Sequence, residues 1–229
     1  MSIPSLIAID EPGAVGKSIV GKMIAQKLGY RFIDTGEMYR ALAWLALHLG
    51  INLEDKATLG KLAREARIEV VSSAEGGYNY VLVNDFNVTD EIHSPRVEAE
   101  VSQVAKMAGV REALVAQQRS MAGGGKTVMA GRDIGTGVLS QAELKVFLIA
   151  SAEERARRRY QEQGKKGKLS YKNILAELKR RDEIDTKRAL SPLSPALDAK
   201  VINTEGLSAE QVTTSILTLI EKSKIQDRN

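Results

Sequence analysis

The chain has 229 residues, 43% hydrophobic and 27% charged, with a formal net charge of +4, a balance that suits one large soluble globular domain or a core carrying insertions. With no cysteine and only two histidines, His48 and His93, it excludes disulfides, thiolate metal sites and a cysteine nucleophile, and leaves oxygen atoms as the expected ligands of any metal. No secretion leader and no apolar run long enough to span a bilayer is present, so a cytoplasmic protein with no membrane partner is expected.

In chain order, Leu6 to Ile9 reads as a buried strand. Ile19, Val20, Met23, Ile24 and Leu28 follow at helical spacing until Gly29 stops the helix. Arg31 to Ile33 returns as a second strand ending at Asp34-Thr35-Gly36, which completes a β-α-β unit. From about residue 50 to 95 the rhythm breaks. Ile68–Ser72 and Tyr78–Asn84 alternate apolar and polar side chains across Ala74-Glu75-Gly76-Gly77, the pattern of an antiparallel hairpin suited to substrate recognition. Further strands are predicted at Thr127–Met129, Leu144–Ile149 and Lys200–Ile202, and Lys222 to Asn229 reads as a frayed tail.

Five short apolar strands alternating with helices predict an α/β fold with a five-stranded parallel sheet, helices on both faces and a small antiparallel insertion. In such folds ligands gather at the carboxyl ends of the strands. Asp10 to Ser18, Asp34 to Gly36 and Gly131 to Thr136 all fall at that edge.

The first of these segments carries Gly13, Ala14, Val15, Gly16, Lys17 and Ser18. A loop ending in Gly-Lys-Ser at a helix N-terminus offers backbone N–H groups, an ammonium and a Mg²⁺-directed hydroxyl to a polyphosphate. The full pattern places glycine five residues before Gly16, where this chain has Glu11. Near the other end, Arg181, Asp185 and Arg188 fall on one face of the helix predicted from Ser170, provided it continues, and could hold a phosphorylated, hydroxyl-bearing ligand or form a surface ion-pair ladder. The basic clusters at 155–159 and 165–168 suit solvated faces or a small anionic substrate as well as a nucleic acid.

Taken together these motifs resemble those of bacterial cytidylate kinases, within the nucleoside monophosphate kinases. The resemblance rests on Gly16-Lys17-Ser18, Asp34-Thr35-Gly36-Glu37-Met38-Tyr39-Arg40, Val88-Thr89-Asp90-Glu91-Ile92, Val110-Arg111-Glu112-Ala113-Leu114, Gly131-Arg132-Asp133-Ile134-Gly135-Thr136 and the segment Arg181 to Ala189. It implies transfer of the ATP γ-phosphoryl group to CMP or dCMP with Mg²⁺ by a monomer without a nucleic-acid partner. It further implies a core of 1–40, 107–154 and 170–229, a monophosphate-binding insertion at 41–106 and a lid at 155–169. By motif position, Ser102, Arg111 and Asp133 would read the cytosine, and Arg181 and Asp185 would hold the sugar. Arg40, Arg132 and Arg188 would take the monophosphate and the transferring phosphoryl group, with Thr35, Gly36, Tyr39 and Gly131 lining the acceptor. Lys17, Arg132, Arg188 and Arg158 would act in catalysis, Gly13 to Ser18 would bind ATP, and Ser18 would bind the metal.

Against the family pattern, besides Glu11, Ala130 stands where aspartate usually precedes Gly-Arg-Asp, Gly13-Ala14 replaces a small residue followed by glycine, and His93 replaces arginine. The acceptor residues are intact while the donor end is altered, which suggests impaired or retuned use of ATP·Mg. Two alternatives keep the same residues: a cytidine-nucleotide binder that has lost transfer, and a kinase for another monophosphate such as UMP.

Overall fold

A computed structural model describes residues 3–72, 79–163 and 169–226. In chain order it contains β1 (Leu6–Asp10), α1 (Lys17–Leu28), β2 (Arg31–Asp34), α2 (Thr35–His48), α3 (Lys56–Glu65), β3 (Ile68–Ser72), β4 (Asn79–Val83), β5 (Phe86–Asn87), α4 (Pro95–Ala105) and α5 (Ala108–Ala122). Then come β6 (Thr127–Gly131), β7 (Leu144–Ile149), α6 (Ala152–Gln163), α7 (Tyr171–Lys187), β8 (Lys200–Asn203) and α8 (Ala209–Gln226). One sheet has five strands in the order β2-β6-β1-β7-β8, and a second has three in the order β3-β4-β5. The parallel sheet and the small antiparallel sheet expected from the sequence are both present. No helix among the described residues is long and apolar enough to cross a membrane.

The chain divides into two compact units, Met1–Tyr30 with Gly125–Asn229, and Arg31–Gly124. In the first, β1 lies between β6 and β7 in parallel, with Ile9 opposite Ala130 and Asp10 opposite Gly131. Such a strand is covered on both sides, which is why Ile7, Ala8 and Ile9 form a continuous apolar run rather than alternating with polar residues. β8 joins the outer side of β7, again in parallel. α8 runs on to Gln226, so the tail predicted to fray from Lys222 is helical for five of its eight residues; the last three lie outside the described residues.

In the second unit, α2 supplies the spine of the core. Met38, Ala41, Leu42, Leu45 and Ala46 are buried against residues such as Leu59, Ile68, Val81, Val101 and Leu114. Asp34 caps α2 by accepting the Gly36 N–H at 2.9 Å, a cap worth about 1 kcal/mol. The hairpin forms as expected, with Ile68 opposite Val83 and Ser72 opposite Asn79, while its expected turn at Ala74–Gly77 lies outside the described residues. The structure adds β5, paired through Val83 and Phe86. Asn84 and Asp85 between them have φ of 49° and 72°, the left-handed pair that a two-residue hairpin turn requires and that Asn and Asp tolerate.

Candidate active site

In the first unit the loop from Glu11 to Gly16 joins the carboxyl end of β1 to the N-terminus of α1. Gly16 caps α1 at φ 109°, a conformation that glycine adopts without strain, and Lys17 and Ser18 are the first two residues of the helix. A Cβ on Gly13 would come within 3.2 Å of Arg132 Nη2, so the guanidinium passes close to the loop backbone there. Ala14 has φ 66°. For an alanine this costs about 1–2 kcal/mol, and its methyl group packs against the cluster of Ala156, Ile174 and Leu178.

Glu11 is 1% exposed. Its Oε2 accepts the Lys17 N–H at 3.1 Å, and its Oε1 lies 3.7 Å from Lys17 Nζ. The carboxylate therefore faces into the phosphate loop. Two arginines of α6 brace the loop through its carbonyls. Arg155 donates to Gly13 O at 2.8 Å and forms a fork with Asp182 of α7 at 3.1 and 2.5 Å. Arg158 donates to Val15 O at 2.9 Å, to the Thr204 backbone and side chain, and to Glu154 at 2.8 Å. Arg157 and then Arg158 hold the Glu154 carboxyl down at about 2.

Asp10, at the end of β1, is 3% exposed and accepts the N–H groups of Ile134 at 2.6 Å and Gly135 at 2.7 Å. Burial pushes its carboxyl up to about 6, against the two backbone hydrogen bonds, which pull it down. These bonds anchor a wide turn over Ile134–Val138, in which Val138 N–H donates to Asp133 O and Leu139 N–H to Ile134 O. This turn is wider than the tight turn that the closely spaced Gly131 and Gly135 permit. The wider turn keeps Asp133 buried while Thr136 is exposed.

Arg132 Nε donates to Asp185 at 2.8 Å, and Arg188 Nη2 to Asp133 at 3.2 Å. Arg181 is half-buried on α7. The expectation that Arg181, Asp185 and Arg188 share one face of a continuing helix needs correction. α7 stops at Lys187, and Arg188 is its cap with ψ 139°, extended backbone that carries the side chain off the helix face toward Asp133 and the Ser191 carbonyl.

In the second unit, Arg40 Nε donates to Glu98 of α4 at 2.6 Å. Its guanidinium passes close to Gly36, where a Cβ would lie 3.0 Å from Arg40 Nη1. Thr35 and Tyr39 are buried beside it on α2. Arg111 is buried, donates to Ala105 O at 3.3 Å and lies 5.8 Å from the centre of the Tyr39 ring, within cation–π range. Ser102 is half-buried on α4. Burial and the charge of Arg40 hold the His93 imidazole below its usual value.

The cytidylate kinase family model matches residues 7–222. The chain belongs to the cytidylate kinase family. It is 46% identical over 217 residues to the cytidylate kinase of Bacillus licheniformis, covering 94% of this chain and 96% of that one. With the cytidylate kinase of Bacillus velezensis it shares 48% over 217 residues at the same coverage, and with that of Bacillus subtilis 44%. Among solved structures, a shikimate kinase from Bacteroides thetaiotaomicron superposes with a TM-score of 0.50 at 15% identity, covering 94% of this chain and 98% of that one, a likeness of fold.

Sequence reasoning had passed over three residues of this family member: Arg155, hidden in a run of arginines; Asp10, placed at the ligand edge without a role; and Glu98, the partner of Arg40. Asp182, Ile134 and Glu98 lie 27, 124 and 58 residues from the groups they meet, so no local spacing announces these bonds. Lys165 to Lys168, within the expected lid, lie outside the described residues.

Proposed function

We infer that this cytidylate kinase family member transfers the γ-phosphoryl group of ATP to CMP or dCMP. The bond between the γ-phosphorus and the β–γ bridging oxygen breaks as one forms to a phosphate oxygen of the acceptor, giving ADP and CDP or dCDP. The observation that carries this reading is Lys17-Ser18 opening α1 behind β1 in a chain that the family model matches from residue 7 to 222.

Phosphoryl transfer needs in-line positioning and positive charge around three equatorial oxygens rather than a covalent participant. We assign that charge to Lys17, Arg132 and Arg188. The carboxylates of Asp185 and Asp133 that pair with Arg132 and Arg188 orient the two guanidinium groups before substrate arrives. Arg158, tied to Val15 and Thr204, supports the loop and adds charge behind it. Gly13 to Ser18 take the donor phosphates. Arg40 takes the acceptor phosphate beside Thr35, Gly36 and Tyr39, and Gly131 leads into the acceptor-binding turn.

Cytosine presents an N4 donor next to the N3 and O2 acceptors, so the Asp133 carboxylate, the Ser102 hydroxyl and the Arg111 guanidinium together suit it. Uracil places an acceptor where Asp133 needs a donor. Arg181 and Asp185 remain for the sugar. Residues 41–106 serve as the monophosphate-binding part and 155–169 as the lid over the donor.

Among the described residues no cluster of three or more His, Asp or Glu could cage a metal, and Ser18 at the start of α1 offers a single hydroxyl. That donor set fits Mg²⁺, which keeps several waters and binds chiefly through substrate phosphates. Ser18 would hold it, and when bound it would neutralise charge on the β- and γ-phosphates. Buried Ala130 offers no outer carboxylate, a loss of the kind that costs ~10–100-fold in metal affinity or activity.

The test offers CMP, dCMP and UMP with ATP and Mg²⁺ and follows diphosphate formation. CMP or dCMP is expected to be phosphorylated well ahead of UMP. Binding of CMP with no CDP formed at high enzyme concentration would reject transfer, and preference for UMP would reject the base assignment.

A further inference from the structure

We propose that Glu11 acts as a built-in anion that occupies the phosphate loop and lowers its affinity for the donor nucleotide. The inference rests on the donor-binding role given above to this loop. The Glu11 backbone continues from β1, its N–H donating to Gly131 O at 3.3 Å, which fixes the residue at the floor of the loop. From there its buried side chain reaches the first residue of α1.

The first turn of α1 contains no acidic residue and Gly16 brings no capping side chain. A helix N-terminus favours negative charge and leaves backbone N–H groups without helical partners. Glu11 supplies a negative oxygen to this end, and it does so at Lys17 N–H and beside Lys17 Nζ. A backbone N–H of the loop and the lysine ammonium are the groups that such a loop presents to donor phosphates. The carboxylate thus stands on donors that a polyphosphate requires. A family member with glycine here has no side chain to put there.

Binding of the donor then requires the carboxylate to leave Lys17 or to share it with a second anion. A protein whose competent state is a minor fraction shows an affinity reduced by that fraction, so a ten-to-one preference for the engaged state weakens binding about tenfold. The same contact satisfies both the Lys17 N–H and the Lys17 ammonium. The deficit is confined to the donor; CMP meets other residues. A different role for Glu11 would be to replace the carboxylate missing at Ala130, since Glu11 follows Asp10, which lies opposite Gly131. The two roles differ in sign: removing a competitor tightens donor binding, and removing a metal-directed carboxylate weakens it.

The test is calorimetric titration of the full chain and of Glu11→Gln and Glu11→Gly with three probes: inorganic tripolyphosphate, a non-hydrolysable ATP analogue with Mg²⁺, and CMP. Glu11→Gln keeps the shape and removes the charge, which guards against a fold lost on opening the loop. Both variants are expected to bind tripolyphosphate and the analogue about tenfold more tightly than the parent, with CMP affinity unchanged within about twofold. Donor affinity that is equal or weaker in Glu11→Gln overturns the proposal, and weakening seen only with Mg²⁺ assigns Glu11 to the metal instead. Failure of the parent to bind CMP, alongside tighter tripolyphosphate binding by the variants, overturns the kinase reading and leaves the loop inference standing.

Discussion

Replacing Asp10 with asparagine should change how stability depends on pH. The carboxylate is buried at the end of β1 and receives two backbone N–H groups, yet burial still raises its carboxyl from 3.8 to about 6. The folded state therefore holds the proton more tightly than the unfolded state. Stability from this group is fully present below about pH 3.8 and is lost as pH rises through about 6. The full span is about 3 kcal/mol at 1.36 kcal/mol per pH unit, of which about 2 kcal/mol falls between pH 4.5 and 7. Asparagine cannot ionise, so the stability difference between parent and Asp10→Asn should shift by about 2 kcal/mol, against the parent, as pH goes from 4.5 to 7. Its amide also accepts at only one atom, so one buried N–H of the pair at Ile134 and Gly135 loses its acceptor, at about 1–3 kcal/mol at any pH. Urea unfolding of both proteins at the two pH values gives both quantities. Glu154, held at about 2, titrates below this window and is common to both proteins. A difference that stays constant from pH 4.5 to 7 would refute the reasoning.

Two further substitutions probe the loop. Arg155→Met should cost about 2–4 kcal/mol in urea unfolding, because it leaves Asp182 and Gly13 O without their guanidinium, and adding Asp182→Leu should recover part of that loss. A loss below about 0.5 kcal/mol would mean that the fork is a surface pair. Ala14→Val should cost about 2–3 kcal/mol, since a β-branched side chain at φ 66° adds strain and overfills the space beside Leu178. A neutral outcome by thermal or urea unfolding would show that the loop relaxes out of that conformation.

The strands were legible because each is short, apolar and followed by polar residues at one sheet edge, which fixed the β-α-β repeat and the grouping of Glu11, Lys17, Arg132 and Asp133. The hairpin was legible from alternation between Ile68 and Val83. The short β5 was hidden because Asn84, the first of its two turn residues, read as the end of a strand. Arg188 would share a face with Arg181 and Asp185 only if α7 continued past Asp185, but spacing does not register where a backbone turns extended, and Arg188 meets Asp133 for that reason. Glu11 was visible as a charge out of place. Its direction was not, since the same residue facing solvent would read identically, and only the Lys17 contacts distinguish the two. The Arg155–Asp182 fork is a tertiary event between two polar helices, each of which alone looks like a solvated face.

The most direct measurement of the central claim incubates the chain with ATP labelled in its γ-phosphoryl group, Mg²⁺ and CMP, and follows the label by separation of the nucleotides. The account predicts label in CDP, and its loss in Lys17→Met, which removes the ammonium from the loop while the acceptor residues stay in place. Label that remains in ATP, or appears only as free phosphate, would contradict it.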